Sequence, residues 1–179
     1  MFLNIITPVT RCQNLNIIRQ SINIPRSNFR WICVFDAETI SCDVPEDCEA
    51  YAHVDTKSGM GNAQRNLAIE LVKEGHIYFN DDDTTIHPLL WENINDKDEY
   101  DLIHFSQSYK NDSLRLQGDR VANNYIDSHN FVVRRDCVGD VRWVLNRYDA
   151  DGIFAETCQK RSKNSIFIPK ILSVYNSLR

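Results

Sequence analysis

The residues of this chain best suited to chemistry are three consecutive carboxylates, Asp81, Asp82 and Asp83, one residue after the apolar run 77–79. Like charges packed this closely repel one another, so a folded chain holds them where solvent or a cation compensates the charge. Two interpretations follow. A strand that ends in carboxylates can hold Mg²⁺ or Mn²⁺ against a phosphorylated substrate, whereas the plainer alternative is an acidic surface turn with an aspartate as helix N-cap.

A segment that contains glycine and arginine, residues 57–66 (Lys-Ser-Gly-Met-Gly-Asn-Ala-Gln-Arg-Asn), lies upstream of the triplet. The pattern predicts a helix that starts after Gly61, with Asn62 as its cap and Gly75 as its left-handed stop. Arg65 falls in the first turn, where free backbone N–H groups and the helix dipole favour an anion. Such a loop and helix, followed by a strand that ends in acids, can hold a diphosphate together with its metal.

A second acidic cluster occupies residues 148–156, Tyr-Asp-Ala-Asp-Gly-Ile-Phe-Ala-Glu. Asp151 stands just before a helix predicted over residues 153–161. A carboxylate fixed at a helix N-terminus can take a proton from an attacking hydroxyl as general base. The alternative is that Asp149 or Asp151 only caps the helix.

Apolar patterning predicts the elements that position these side chains. Strands are predicted over 3–7, with Pro8 ending the first, and over 29–35, 50–54, 76–79, 102–107, 114–117 and 130–133. Helices are predicted over 15–22, over the glycine–arginine segment, and over 88–93, 138–145 and 153–161. This alternation predicts an α/β sandwich with ligands at the carboxyl ends of parallel strands, where Thr7, Asp36 and Asp81 fall.

The two motifs together resemble the nucleotide-sugar site of GT-A-fold glycosyltransferases: Gly61-x-x-Gln-Arg-Asn-x-Ala, then Tyr-Phe-x-Asp-Asp-Asp. The closest pattern is the inverting glucuronyltransferase type, followed by the broad family-2 transferases. Residues 4–11, 29–36 and 168–176 resemble the first, second and closing strands of that fold. The resemblance implies one GT-A-like α/β domain over 1–179, with a mostly parallel central sheet flanked by helices. It also implies a nucleotide-sugar-binding half, 1–85, and an acceptor-binding half, 86–179.

The resemblance assigns roles residue by residue. The implied nucleotide-sugar-binding residues are Thr7, Pro8, Arg11, Asp36, Lys57, Gly61, Arg65, Asn66, Asp81 and Asp82. Asp36 takes the place that reads the uracil base, so a UDP-sugar is favoured and a GDP-sugar stays open. Mn²⁺ or Mg²⁺ is the expected metal ion. Asp83 is the first candidate for its principal ligand, and Asp81 is the second. Asp151 is the expected general base, with Glu156 as runner-up, and the acceptor is a hydroxyl of a glycan or glycoprotein.

The sequence departs from the family pattern at three positions. Ala150 replaces the glutamate that precedes the catalytic aspartate in family-2 enzymes, and Met60 stands where the glucuronyltransferase-like pattern has a basic residue. If the triplet is aligned with the family-2 metal-binding motif after a shift of one residue, Asn80 occupies the position where that motif has its first aspartate. Which aspartate is the principal metal ligand therefore stays open. His129, after Asp127 and Ser128, either lines the acceptor groove, binds metal, or is a satisfied residue at a strand start.

Composition limits the classes of function. With 179 residues, of which 42% are hydrophobic, the chain is predicted to be one globular domain. Its formal net charge is -5 and it has no basic stripe, so nucleic acid is not expected to be its main partner. No signal peptide or integral membrane segment is recognised. The six cysteines include no C-x-x-C pair, and we predict that they are reduced thiols in a cytoplasmic protein. A disulfide between Cys42 and Cys48 is the alternative.

The predicted function is that of a metal-dependent inverting glycosyltransferase. A sugar nucleotidyltransferase is the alternative enzyme, but the glycine-rich phosphate loop with Arg and Lys that it needs is missing after residues 3–7. A non-catalytic module that binds a nucleotide-sugar or a glycan is the third possibility.

Overall fold

A computed structural model describes residues 1–54 and 60–179 of the chain. Its strands are β1 (Leu3–Val9), β2 (Phe29–Phe35), β3 (Cys48–Ala52), β4 (His76–Phe79), β5 (Leu102–Ser108), β6 (Leu114–Leu116), β7 (Phe131–Arg134) and β8 (Ser165–Val174). Its α-helices are α1 (Leu15–Ser21), α2 (Asn62–Leu71), α3 (Leu90–Ile94), α4 (Arg135–Val138) and α5 (Ala150–Arg161). Two short 3₁₀ turns, Cys12–Asn14 and Arg26–Asn28, precede α1 and β2.

The strands form one sheet in the order β3-β2-β1-β4-β7-β5-β6, with β8 pairing to β5. Strands β3, β2, β1 and β4 are parallel to one another, and β7 runs antiparallel between β4 and β5. Because β7 is antiparallel to β4, the start of β7 lies at the same sheet edge as the carboxyl end of β4. Residues just after β4 and just before β7 therefore meet.

Helices cover both faces of the sheet, and alternate strand residues supply two apolar layers. Ile5 and Trp31 pack in the layer covered by α1 and α3. Ile6 and Ile32, their neighbours in the chain, pack in the layer covered by α2, α4 and α5. The two layers fix the sheet, and thereby the edge at which the polar turns meet.

The structure corrects several predicted bounds. Pro8 does not end β1 but lies within it, in register with Val34. A proline is tolerated there because β4 pairs with β1 only over Leu3 to Ile6, so β1 has a single neighbouring strand at Pro8. The helix predicted over 138–145 is wrong, because α4 ends at Val138 and Gly139 takes a positive φ of 52°.

Two further corrections concern the helices that carry predicted site residues. Helix α2 starts with Gly61, not Asn62, as its N-cap, and it ends at Leu71 before reaching Gly75. Helix α5 starts at Ala150, so Asp151 lies inside its first turn and not ahead of it. Asp149 occupies the N-cap position without a capping side-chain hydrogen bond.

No helix among the described residues combines the length and apolar character needed to cross a bilayer. The six cysteines are free thiols, Cys42 and Cys48 included.

Gly61 is a position where substitution is expected to be costly. Its φ is 74°, and a Cβ added there would lie 2.8 Å from Cβ of Pro8. We expect Gly61→Ala to lower the free energy of unfolding by more than about 1 kcal/mol, measured by urea denaturation. Gly61→Asn separates the two causes, because asparagine tolerates positive φ but still carries the clashing Cβ. An unchanged midpoint for Gly61→Ala would contradict the close approach to Pro8.

Candidate functional site

A cavity of about 410 Å³ opens at the sheet edge where β4 ends and β7 begins. Its walls include Arg65 of α2, Asp81 and Asp83 of the turn after β4, His129 ahead of β7, and Asp151 of α5. Five side chains that are far apart in the sequence are thus brought together by the antiparallel insertion of β7.

Asp81 is held in a network with Arg65 and His129. Its Oδ1 accepts a hydrogen bond from Nη2 of Arg65, and its Oδ2 lies 3.1 Å from Nε2 of His129. Burial alone would raise the pKa of this carboxyl, but Arg65 and His129 outweigh burial and the pKa is lowered. Asp81 is therefore ionised at neutral pH.

His129 lies buried between two carboxylates. Its Nδ1 is 3.4 Å from Oδ1 of Asp127, on the side opposite Asp81. Burial lowers the pKa of the imidazole, yet the charges of Asp81 and Asp127 outweigh it and the pKa is raised. His129 thus lines the cavity and pairs with the acidic turn.

Arg65 is 5% exposed and does not stand free in the first turn of α2. Its Nη1 donates to the Met60 carbonyl at 2.9 Å and to Oδ1 of Asn62 at 3.1 Å. Its guanidinium carbon lies 4.6 Å from the centroid of the Trp143 ring. Asn62, expected to cap α2, instead donates its amide to the Val144 carbonyl. Arg65 is a fixed cation that faces the acidic turn.

Asp82 turns away from the cavity and holds the loop after β1. Its Oδ2 accepts from the backbone N–H groups of Thr10 and Arg11, both at 2.6 Å. Its Oδ1 accepts from Nη1 of Arg11 at 2.6 Å. With its oxygens engaged in this way, Asp82 positions Arg11 rather than facing the space that Asp81 and Asp83 line.

Asp83 lines the cavity and is paired with the segment that follows β8. Its Oδ2 lies 2.6 Å from Nε of Arg179 and 3.4 Å from Nη1 of Arg11. The backbone N–H of Leu178 also donates to the Asp83 carbonyl at 2.8 Å. No sequence motif marks Arg179, because its pairing with Asp83 depends on the return of β8 beside β5.

The two candidate bases lie in different surroundings. Asp151 lines the cavity, and burial followed by the charge of Asp127 raises its pKa to about 6. Glu156 is not among the lining residues and lies 2.9 Å from Nζ of Lys160, a contact that lowers its pKa. The structure therefore brings Asp151, and not Glu156, to the acidic turn.

Two other predicted binding residues are engaged inside the fold. Thr7 is fully buried, and its Oγ1 accepts from Nε1 of Trp31 at 3.0 Å. Asn66 donates to the Trp143 carbonyl at 2.9 Å and accepts from the Trp143 N–H at 2.8 Å. Asn66 thereby fixes the segment that carries the Trp143 ring against Arg65.

Pro8 and Asp36 lie near the carboxyl ends of β1 and β2. Pro8 is buried beneath Gly61. Asp36 follows β2, donates its backbone N–H to the Val9 carbonyl at 3.1 Å, and is not among the residues that line the cavity. Lys57 lies outside the described residues.

The carboxylates of the cavity were tested for their fit to a divalent cation. Across residues 1–54 and 60–179, no group of three or more His, Cys, Asp or Glu side chains is arranged to hold a metal ion. Asp81 and Asp83 nevertheless offer hard oxygen donors on one cavity, and Mg²⁺ typically takes one or two protein carboxylates plus substrate phosphates. The donor chemistry fits Mn²⁺ or Mg²⁺ at Asp81 and Asp83, whereas Asp82 is engaged elsewhere.

Arg115 and Asp127 also line the cavity, although no sequence motif assigned them a role. Arg115 Nη1 lies 2.9 Å from Oδ2 of Asp127, and the Arg115 guanidinium stacks 3.8 Å above the Tyr175 ring centroid. The polar run 127–130 directly ahead of an apolar strand was the one signal available. It marks a strand start at the same sheet edge as the acidic turn.

Comparison with protein-family models and with curated sequences found no match. Among solved structures, Staphylococcus aureus TarS 1-349 is similar, with a TM-score of 0.76, 14% identity, and coverage of 97% of this chain and 60% of that chain. TarS 1-349 in complex with UDP-GlcNAc gives a TM-score of 0.75 at 14% identity, covering 97% and 58%. The mannosyltransferase PcManGT from Pyrobaculum calidifontis, in complex with GDP-Man and Mn²⁺, gives 0.70 at 12% identity, covering 97% and 56%.

These similarities confirm the predicted fold, a GT-A-like α/β domain with a central sheet that is mostly parallel at its core. The chain spans about 60% of the length of TarS 1-349.

Proposed function

We propose that this chain is a metal-dependent, inverting glycosyltransferase that moves a sugar from a nucleotide-sugar, with UDP favoured, to a hydroxyl of a glycan or glycoprotein. The observation that carries the proposal is the meeting of Asp81, Asp83 and Asp151 in one cavity. Donor activation and proton removal are the two needs of a single displacement, and one cavity offers carboxylates for both.

The donor half of the proposal rests on charge. Asp83 and Asp81 would hold Mn²⁺ or Mg²⁺, which offsets the diphosphate charge and stabilises the departing nucleoside diphosphate. Arg11 and Arg179, both next to Asp83, supply further positive charge beside the diphosphate. The GDP-Man and Mn²⁺ in the PcManGT structure and the UDP-GlcNAc in the TarS structure support this choice of ligands.

The acceptor half of the proposal rests on Asp151. A general base works best when its pKa lies near the working pH, and burial brings the pKa of Asp151 to about 6. The Gly152 N–H donates to its Oδ1 at 2.7 Å, which fixes the carboxylate at the start of α5. Asp151 then takes the proton of the acceptor hydroxyl as that oxygen attacks the anomeric carbon.

The proposal is tested by calorimetry with UDP in the presence and absence of MnCl₂, followed by an assay of UDP release from UDP-sugars. We expect binding that Mn²⁺ strengthens, because a cation is needed between the carboxylates and the diphosphate, together with slow hydrolysis of one donor. UDP binding that is absent, or equal with and without Mn²⁺, would contradict the donor half. Intact binding without turnover would identify a non-catalytic module.

A further inference from the structure

Tyr148 is the most solvent-exposed of the large apolar side chains among the described residues, at 85%. It nevertheless belongs to the wall of the cavity that Asp151 lines, three residues ahead of Asp151 in the chain. A single exposed aromatic ring is ordinary on a protein surface, but a ring on the wall of a cavity presents a flat apolar face to whatever enters it. Since Tyr148 and the candidate base Asp151 line the same cavity, the ring is available to a ligand whose reacting group reaches Asp151.

The charged neighbours of Tyr148 are already neutralised. Arg147 Nη2 lies 2.7 Å from Oδ2 of Asp149, and Asn123 donates to the same oxygen at 2.8 Å. Arg115, which also lines the cavity, is paired with Asp127. Because Arg147, the residue before Tyr148, is committed to Asp149, the Tyr148 side of the cavity suits a neutral ligand, whereas the arginines paired with Asp83 are assigned to the donor.

The same cavity carries an exposed amide. Asn124 lines the cavity and is held at a positive φ of 68° in the loop ahead of β7. An amide offers both a donor and an acceptor to a hydroxyl group. An aromatic face and an amide on one cavity suit a pyranose ring, which has an apolar C–H face and hydroxyl groups around its edge.

We propose that Tyr148 and Asn124 form an acceptor subsite, in which a neutral pyranose stacks on the Tyr148 ring and hydrogen-bonds to Asn124. This inference rests on the proposed function and adds the substrate class at its acceptor side. A hydroxyl of the stacked pyranose then points toward Asp151, and the rest of the acceptor extends into solvent.

The test uses three probes: methyl β-D-glucopyranoside, methyl β-D-galactopyranoside and methyl N-acetyl-β-D-glucosaminide. Saturation-transfer NMR is run on the full chain with UDP and MnCl₂, with acyclic sorbitol as the control ligand. In the wild type we expect transfer to the ring C–H protons of at least one pyranoside and none to sorbitol. Tyr148→Ala is expected to weaken that pyranoside about tenfold, whereas Tyr148→Phe keeps it because the ring face remains.

Tyr125→Ala is the matched control, because Tyr125 is 50% exposed and is not among the lining residues. It should bind the pyranoside as the wild type does. The subsite is overturned if no pyranoside binds the wild type, if sorbitol binds equally well, or if Tyr148→Ala binds as the wild type.

UDP calorimetry on the same variants separates the two proposals. Unchanged UDP affinity in Tyr148→Ala together with lost pyranoside binding supports the subsite. Pyranoside binding that depends on Tyr148 in a protein that does not bind UDP supports the subsite and overturns the proposed donor. UDP binding with pyranoside binding that is indifferent to Tyr148 supports the donor and overturns the subsite.

Discussion

Asp151→Asn is expected to slow sugar transfer by roughly 10²–10⁴-fold while the affinity for UDP stays nearly unchanged. The carboxylate belongs to the first turn of α5 and is not one of the two proposed metal ligands, Asp81 and Asp83, so its loss should remove the base while the donor ligands stay in place. Asparagine keeps the size of the side chain and can still accept from the Gly152 N–H. Turnover is measured as UDP release, and affinity by calorimetry.

Glu156→Gln is the comparison variant, because Glu156 pairs with Lys160 and is not among the lining residues. It should transfer sugar at nearly the wild-type rate. Loss of turnover in Glu156→Gln with normal affinity, beside an active Asp151→Asn, would move the role of base to Glu156. If both variants stay active, the single-displacement mechanism fails.

The pH dependence of turnover offers a second check on Asp151. A general base works only when deprotonated, so turnover should fall as the pH drops through about 6, the raised pKa of this carboxyl. Most of the rate should be present above that pH. The Asp151→Asn variant should lose most of its turnover, and the turnover that remains should no longer fall as the pH drops through about 6.

Asp83→Asn is expected to abolish the strengthening of UDP binding by Mn²⁺. Removing a group that only supports a metal ligand already costs about 10–100-fold in metal affinity, so removing a direct ligand should cost at least as much. Mn²⁺ affinity is measured by calorimetry with UDP present, and unfolding in urea shows whether the variant remains folded.

Arg179→Gln is the matched control, because it removes the guanidinium that pairs with Asp83 at 2.6 Å and leaves the carboxylate in place. Mn²⁺ is titrated into this variant without UDP, because Arg179 is also proposed to contribute charge beside the diphosphate. We expect Mn²⁺ to bind at least as tightly as it binds the wild type, since the cation no longer competes with Arg179. Equal loss of Mn²⁺ affinity in both variants would show that the ion pair, and not the ligand, was responsible. Normal Mn²⁺ binding in Asp83→Asn would pass the main role to Asp81.

The strands of the sheet could largely be predicted from local pattern. Short continuous apolar runs predicted strands over 29–35 and 76–79, and the structure has them as β2 and β4 with those bounds. Runs of this kind are typical of strands in a sheet that is buried on both faces, as this sheet is. The fold class followed from their alternation with helices.

The predicted helix over 138–145 failed for a tertiary reason. Its apolar spacing suits a helix, but the segment instead packs Val141 and Trp143 against the layer beneath α5. Asn66 supplies both hydrogen bonds to the Trp143 backbone, partners that a helix would have supplied internally. A side chain far away in the sequence therefore decided the local conformation.

The sequence by itself determined which residue types stand at the ends of β2 and β4, because the apolar runs that form these strands also mark where they stop. The end of β1 was predicted two residues early, since β1 continues through Pro8 to Val9. Only the tertiary structure decided what each carboxylate of the triplet does. Asp82 turns to the loop after β1, while Asp81 meets Arg65 and His129, and Asp83 meets Arg179. The physical reason is that these pairings depend on the antiparallel insertion of β7 and the return of β8 beside β5, contacts between distant segments that no local period encodes.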